Sequence, residues 1–245
     1  MLWNAQCSKK ILSNISSEMT PLYLYLLAGS LAVPLLFSIF IFDFIKYWKN
    51  FIISTSIISS IFLLWDVIFT HYGVWEFNLT YCLNFTFLGM PIEEWLFFFI
   101  IPFCSLFIHF GLTSSFPKFK LGKKTTKLIA IMGIVMCCLI LVFYYTKAYT
   151  AINFILLLFV LTLGLIFHIK LLQHFFLSFL IILIPFFFVN GILTGAVTEL
   201  PIVSYNNEEN LGLRLVTIPL EDIGYAFSML FGNLMIFEFL NKKRQ

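Results

Sequence analysis

At 245 residues the chain is 61% hydrophobic and 19% aromatic but only 11% charged, less than half the roughly 25% of a soluble domain. This composition excludes a soluble globular protein and predicts an integral membrane one. The net charge of +3 is carried by loop lysines that read as topology signals, so nucleic-acid binding is not expected.

Residues 1–18 contain Lys9 and Lys10 but no apolar core of their own, so they do not read as a cleavable signal. They read as a disordered lead-in or as an early start, with Met19 opening a more compact chain. Apolar runs near the ~20 residues that cross a bilayer follow at 20–42, 51–70, 91–110, 128–146, 149–167, 171–193 and 215–240. They predict an all-α polytopic membrane bundle of seven helices. Counted by alternate sides, Lys9, Lys10, Lys147 and Arg214 fall on one face and the other cations on the opposite one. The N-terminus is therefore expected outside, and Lys242, Lys243 and Arg244 in the cytoplasm. The lysine-rich stretch "SSFPKFKLGKKTTK" (114–127) sets topology and meets anionic headgroups. Cys7, Cys82, Cys104, Cys137 and Cys138 lack C-x-x-C spacing and read as small apolar fillers. The N-x-[ST] matches at Asn14, Asn78 and Asn84 are near chance.

An internal repeat runs through the chain. "WDVIFTHYGVWEFN…FLGMPIEEWLFFF" (65–99) is echoed by "VNGILTGAVTELPI…LVTIPLEDIGYAF" (189–227), with Asp66 opposite Asn190, Thr70 opposite Thr194, Pro91 opposite Pro219, Glu93 opposite Glu221 and Glu94 opposite Asp222. The copies lie four helices apart and so share an orientation, which predicts a parallel repeat of helices 1–3 and 5–7 joined by helix 4. The expected organisation is a first unit over 19–127 and, over 128–245, a linking helix with the second unit.

Taken alone, "PIEE" is an ordinary helix start, with Pro at the first position and acids complementing the helix dipole. Two adjacent pairs at matched positions, with Arg214 the one compensating charge nearby, point further, because carboxylates deep in a membrane cost roughly 2.5–3.5 kcal/mol each. A carboxyl in an apolar setting favours its neutral form, so a pair can offer a proton donor beside a base. Such a donor in an aromatic cavity suits protonation of an alkene and the carbocation chemistry that follows. Trp95, Phe98 and Tyr225 are the expected cation-stabilising aromatics, although packing and lipid contact explain most of the 32 phenylalanines.

Other chemistries lack their motifs. The chain has no G-x-G-x-x-G and no P-loop. Its four histidines are unclustered, which argues against a di-iron His-box. Asp43, Asp66 and Asp222 are too few for paired Asp-rich Mg²⁺ motifs. Segment 215–240 carries no lysine for a retinal Schiff base.

"PIEEWLFF" (91–98) and "SYNNEENLGLRLVTIPLEDIGYAF" (204–227) resemble the small integral-membrane lycopene cyclase domain in its fused tandem form, over nearly all of 19–240. The resemblance implies β-type cyclisation of the ends of linear C40 lycopene without net redox change, metal or cofactor. It further implies a cell-membrane protein surrounded by lipid, with other carotenoid-pathway enzymes as partners. Glu93, Glu94, Glu221 and Asp222 carry over as the catalytic set. Asp66 and Asn190 are expected beside the cavity, and Asn210 and Arg214 are candidates to bond the carboxylates from the loop 198–214. Two other readings stand beside this one: a non-catalytic seven-helix carotenoid- or retinoid-binding protein, and a proton-coupled transporter, which would use intramembrane carboxylates.

Overall fold

The computed structural model describes residues 21–40 and 44–242; the 1–18 lead-in, Met19, Asp43, Lys243 and Arg244 lie outside the described residues. Among the described residues seven α-helices form the body: α1 (Leu22–Phe40), α2 (Trp48–His71, entered through a 3₁₀ turn at Phe44–Tyr47), α3 (Ile92–Ser115), α4 (Lys123–Tyr144), α5 (Ala148–Phe167), α6 (Ile169–Leu193) and α7 (Glu221–Lys242). All seven are long and apolar enough to cross a membrane, so the protein is a multi-pass α-helical bundle. Their sequences leave little alternative, because in hydrocarbon a helix satisfies its backbone groups internally. The scattered hydroxyls follow suit, Ser30, Thr113 and Thr162 each donating to the carbonyl four residues back.

Two helices begin well away from the starts of their apolar runs. α4 begins at Lys123 and takes in lysines that hydropathy excludes, since their long stems can cover apolar surface while the ammonium stays wet. α7 begins at Glu221 rather than 215, because residues 214–219 are taken by a hairpin.

Packing pairs the halves. α1 lies on α3 and α5 on α7; α2 lies on α7 and α6 on α3; α3 and α7 meet at the centre, while α4 leans on α5 and α6. Apart from α4, these contacts come in the matched sets that a two-fold axis between α3 and α7 would generate.

The loops after α2 and α6 repeat the scheme. Strands β1 (Trp75–Phe77) and β4 (Val203–Tyr205) pair antiparallel, Trp75 opposite Tyr205, Glu76 opposite Ser204 and Phe77 opposite Val203. Each loop also folds a tight hairpin, β2 (Thr86–Phe87) with β3 (Met90–Pro91) in one and β5 (Arg214–Leu215) with β6 (Ile218–Pro219) in the other. The turns put Leu88 at φ 51° and Val216 at φ 61°, a left-handed backbone unusual for side chains this bulky. Ile92 N–H then donates to Phe85 and Leu220 N–H to Leu213, both at 3.0 Å. Each hairpin thereby delivers the chain into α3 or α7 with its acid pair in the first turn.

Candidate active site

Consecutive residues of a helix point about 100° apart, and the two acids of each pair have different surroundings. Glu93 and Glu221 are fully buried and tie down loops. Glu93 Oε1 accepts the backbone N–H of Leu83. Glu221 Oε1 accepts that of Leu211 at 2.7 Å and the Thr150 hydroxyl at 2.7 Å. The second oxygen, Oε2, of both glutamates is buried with no hydrogen-bond partner among the described residues.

Glu94 and Asp222 instead line a cavity of about 660 Å³, which Asp66 also reaches. The Tyr23 phenol donates to Glu94 Oε2 at 2.6 Å. The Tyr149 phenol donates to Asp222 Oδ1 at 2.6 Å, and the Tyr205 phenol to Asp222 Oδ2 at 3.0 Å. Tyr23 and Tyr149 are the second residues of α1 and α5, so the same tyrosine-to-acid bond occurs in both halves. Tyr205 comes from β4. Burial first, and the Asp222 carboxyl second, push its phenol well above the ordinary range and keep it a donor. Opposite Tyr205 in the β1–β4 ladder, Trp75 donates its Nε1–H to Asp66 Oδ1 of α2 at 2.5 Å.

The wall around these groups is apolar and aromatic. Phe98 and Tyr225 line it, and the Tyr225 ring stands 4.9 Å from the centroids of both Phe62 and Trp65. Trp95 belongs elsewhere, donating to the Phe87 carbonyl at 3.2 Å and packing on its ring. Asn190 lines the cavity and donates to Phe186 O at 3.2 Å within its own helix. The loop residues expected to reach the carboxylates are engaged otherwise. Asn210 donates to the Asn206 carbonyl and accepts Gly212 N–H, closing a local turn. Arg214 donates to the Thr217 carbonyl and to Asn207 Oδ1, with its guanidinium 5.8 Å from the Tyr205 ring centre.

The structure thus gathers Glu94, Asp222, Asp66, Phe98, Tyr225 and Asn190 around one space, and holds Glu93, Glu221, Asn210, Arg214 and Trp95 in the framework beside it. Sequence reading missed the donors Tyr23, Tyr149, Tyr205 and Trp75; a tyrosine second in the first helix of each repeat was the available signal. Among the described residues, no three His, Cys, Asp or Glu side chains form a group that could hold a metal ion.

A family model described as Lycopene cyclase matches residues 20–112 and 145–240. No curated protein and no solved structure matches the chain.

Proposed function

We propose that this chain, which belongs to the lycopene cyclase family, closes β-ionone-type rings at the ends of linear C40 lycopene by acid–base catalysis. Membership makes it a carotenoid cyclase. The finer reading rests chiefly on one observation: Glu94 from the first half and Asp222 from the second line the same apolar cavity.

The hydrogen bonds suggest a division of labour. Asp222 accepts a phenol on each oxygen, and in this reading it takes the role of the base. Glu94 accepts one phenol, on Oε2, and its other oxygen is suited to carry a proton. In the proposed sequence Glu94 gives that proton to the terminal C=C, leaving a tertiary cation. A nearby alkene of the same chain attacks the cation through its π pair and closes a six-membered ring. Asp222 removes a ring proton, whose C–H electrons become the new ring double bond. One proton enters and one leaves, so the product is an isomer of the substrate. Return of a proton from Asp222 to Glu94 restores the starting state. Trp75, Tyr225 and Phe98 present π faces to the cation, each worth about 0.5–2 kcal/mol.

In this reading Glu93 and Glu221 anchor loops, and Tyr23, Tyr149 and Tyr205 orient the reacting carboxyls. The chain is then a tandem of units 19–127 and 128–245 sharing one site. The lysine distribution favours that site lying toward the outer face, with the C-terminus in the cytoplasm. Expression in a lycopene-accumulating bacterium, with chromatography of the pigments, tests the proposal. Ringed carotenoid is the expected product. Unchanged lycopene in cells containing the folded protein would overturn the reading, and its co-purification with the chain would mark a carotenoid-binding protein instead.

A further inference from the structure

The Tyr23–Glu94 and Tyr149–Asp222 pairs obey the internal two-fold, but the cavity does not. Its apolar wall comes mostly from α1, α3, α6 and α7, while α2 supplies only Asp66 and α5 only Tyr149. Under the two-fold, α1 corresponds to α5 and α6 to α2, so the space runs out on one side of the axis.

Register explains the asymmetry. Phe51, Ser54 and Ile58 are buried along α2, as Phe175, Ser178 and Ile182 are along α6. That match sets Asp66 opposite Asn190 and therefore Trp65 opposite Val189. Trp65 fills its side of the axis, packed against Phe62, Phe69, Tyr149 and Tyr225 with ring centroids 4.9–6.3 Å away. Its Nε1 is buried without a hydrogen-bond partner among the described residues, so the indole is held there by shape. Val189 leaves the corresponding volume open and lines the cavity.

The open side reaches the helix surface between α1 and α6. Tyr25 and Phe188 at its rim are 63% and 68% exposed, and Gly29 and Pro185 beside them are also exposed. A Cβ added at Gly29 would meet nothing within 4 Å. These rim residues lie within helices apolar enough to cross the membrane, so the mouth faces hydrocarbon rather than water.

We infer that the protein has a single substrate channel, entered sideways from the lipid between α1 and α6, and that Trp65 plugs the lobe related to it by the internal two-fold. The channel admits one end of a linear polyene at a time. A chain cyclised at both ends must therefore leave and return reversed, spending the interval in the membrane as a monocyclic species. The inference builds on the cyclase reading and concerns only how the site is reached.

Two substitutions narrow the channel at separate depths: Val189→Trp near the acids and Gly29→Leu at the mouth. In a lycopene-accumulating host each is expected to lower ring formation by about tenfold or more, with wild-type amounts of protein in the membrane. Purified in detergent, both are expected to bind a linear polyene more weakly by absorbance titration. In a time course the wild type is expected to build a monocyclic pool before bicyclic product. Gly29→Leu, set in open space, decides the matter should Val189→Trp fail to accumulate. Ring formation and polyene binding at wild-type levels in Gly29→Leu, or bicyclic product arising without a monocyclic pool, would overturn the inference. A wild-type chain that forms no ring would instead remove the cyclase reading, and the binding comparison would still decide the channel.

Discussion

At Asp222 two phenols, Tyr149 and Tyr205, converge on one carboxyl, whereas Glu94 has Tyr23 alone. Removing the Tyr149 hydroxyl leaves a buried carboxylate oxygen without its donor, a loss of about 1–3 kcal/mol. Tyr149→Phe is therefore expected to lower the melting temperature in detergent and to slow ring formation, both read against wild type. Tyr205→Phe removes the longer bond and is expected to cost less in each measurement. These phenols were hard to find from the sequence. In a chain with 32 Phe and 10 Tyr no single aromatic stands out, and Tyr23 lies 71 residues from the acid it serves. The acid pairs were legible because charge is scarce in this chain and the Pro-hydrophobe-acid-acid pattern occurs twice. Which acid of each pair would meet the cavity was not legible, since helix geometry separates their directions and only packing chooses between them. Asn210 and Arg214 drew attention as polar loop residues, yet the hydrogen bonds they make go to neighbouring backbone and to Asn207.

Among the structural elements, the hairpin-to-helix junctions do the most to position chemistry, and the first acid of each pair fixes them. Glu221→Ala would release the Leu211 N–H and the Thr150 hydroxyl together, whereas Glu221→Gln keeps an oxygen where both donate. Limited proteolysis should therefore cut the 198–214 loop faster in the alanine variant than in the glutamine one; equal rates would count against the anchoring role. The helix contacts depend on small residues as well. A Cβ at Gly164 would lie 2.6 Å from the ring of Phe231, where α5 closes on α7. Because Phe231 is fully buried, the ring cannot move aside freely. Gly164→Ala should lose about 1–3 kcal/mol, seen as a lower melting temperature in detergent. Helices of this length and apolarity were plain in the sequence. The short strands among the described residues were not: each spans only two or three residues, and the β1–β4 pairing joins loops more than a hundred residues apart.

At the scale of the whole molecule, the repeat was readable from matched acids, Pro91 with Pro219, and Asp66 with Asn190. What it builds was not readable, because two copies could equally have formed two sites. The β1–β4 ladder and the α3–α7 contact draw both second acids to one cavity, and in the proposed mechanism each half therefore supplies part of a single site. That is the central claim, and two single substitutions measured side by side test it most directly: Glu94→Gln and Asp222→Asn, with ringed carotenoid quantified by chromatography from lycopene-accumulating cells holding equal amounts of each protein. A shared site predicts that each variant loses nearly all product, by about a hundredfold or more as for a missing general acid or base. Half the wild-type product from either one would mean that the halves work independently, and would contradict the account.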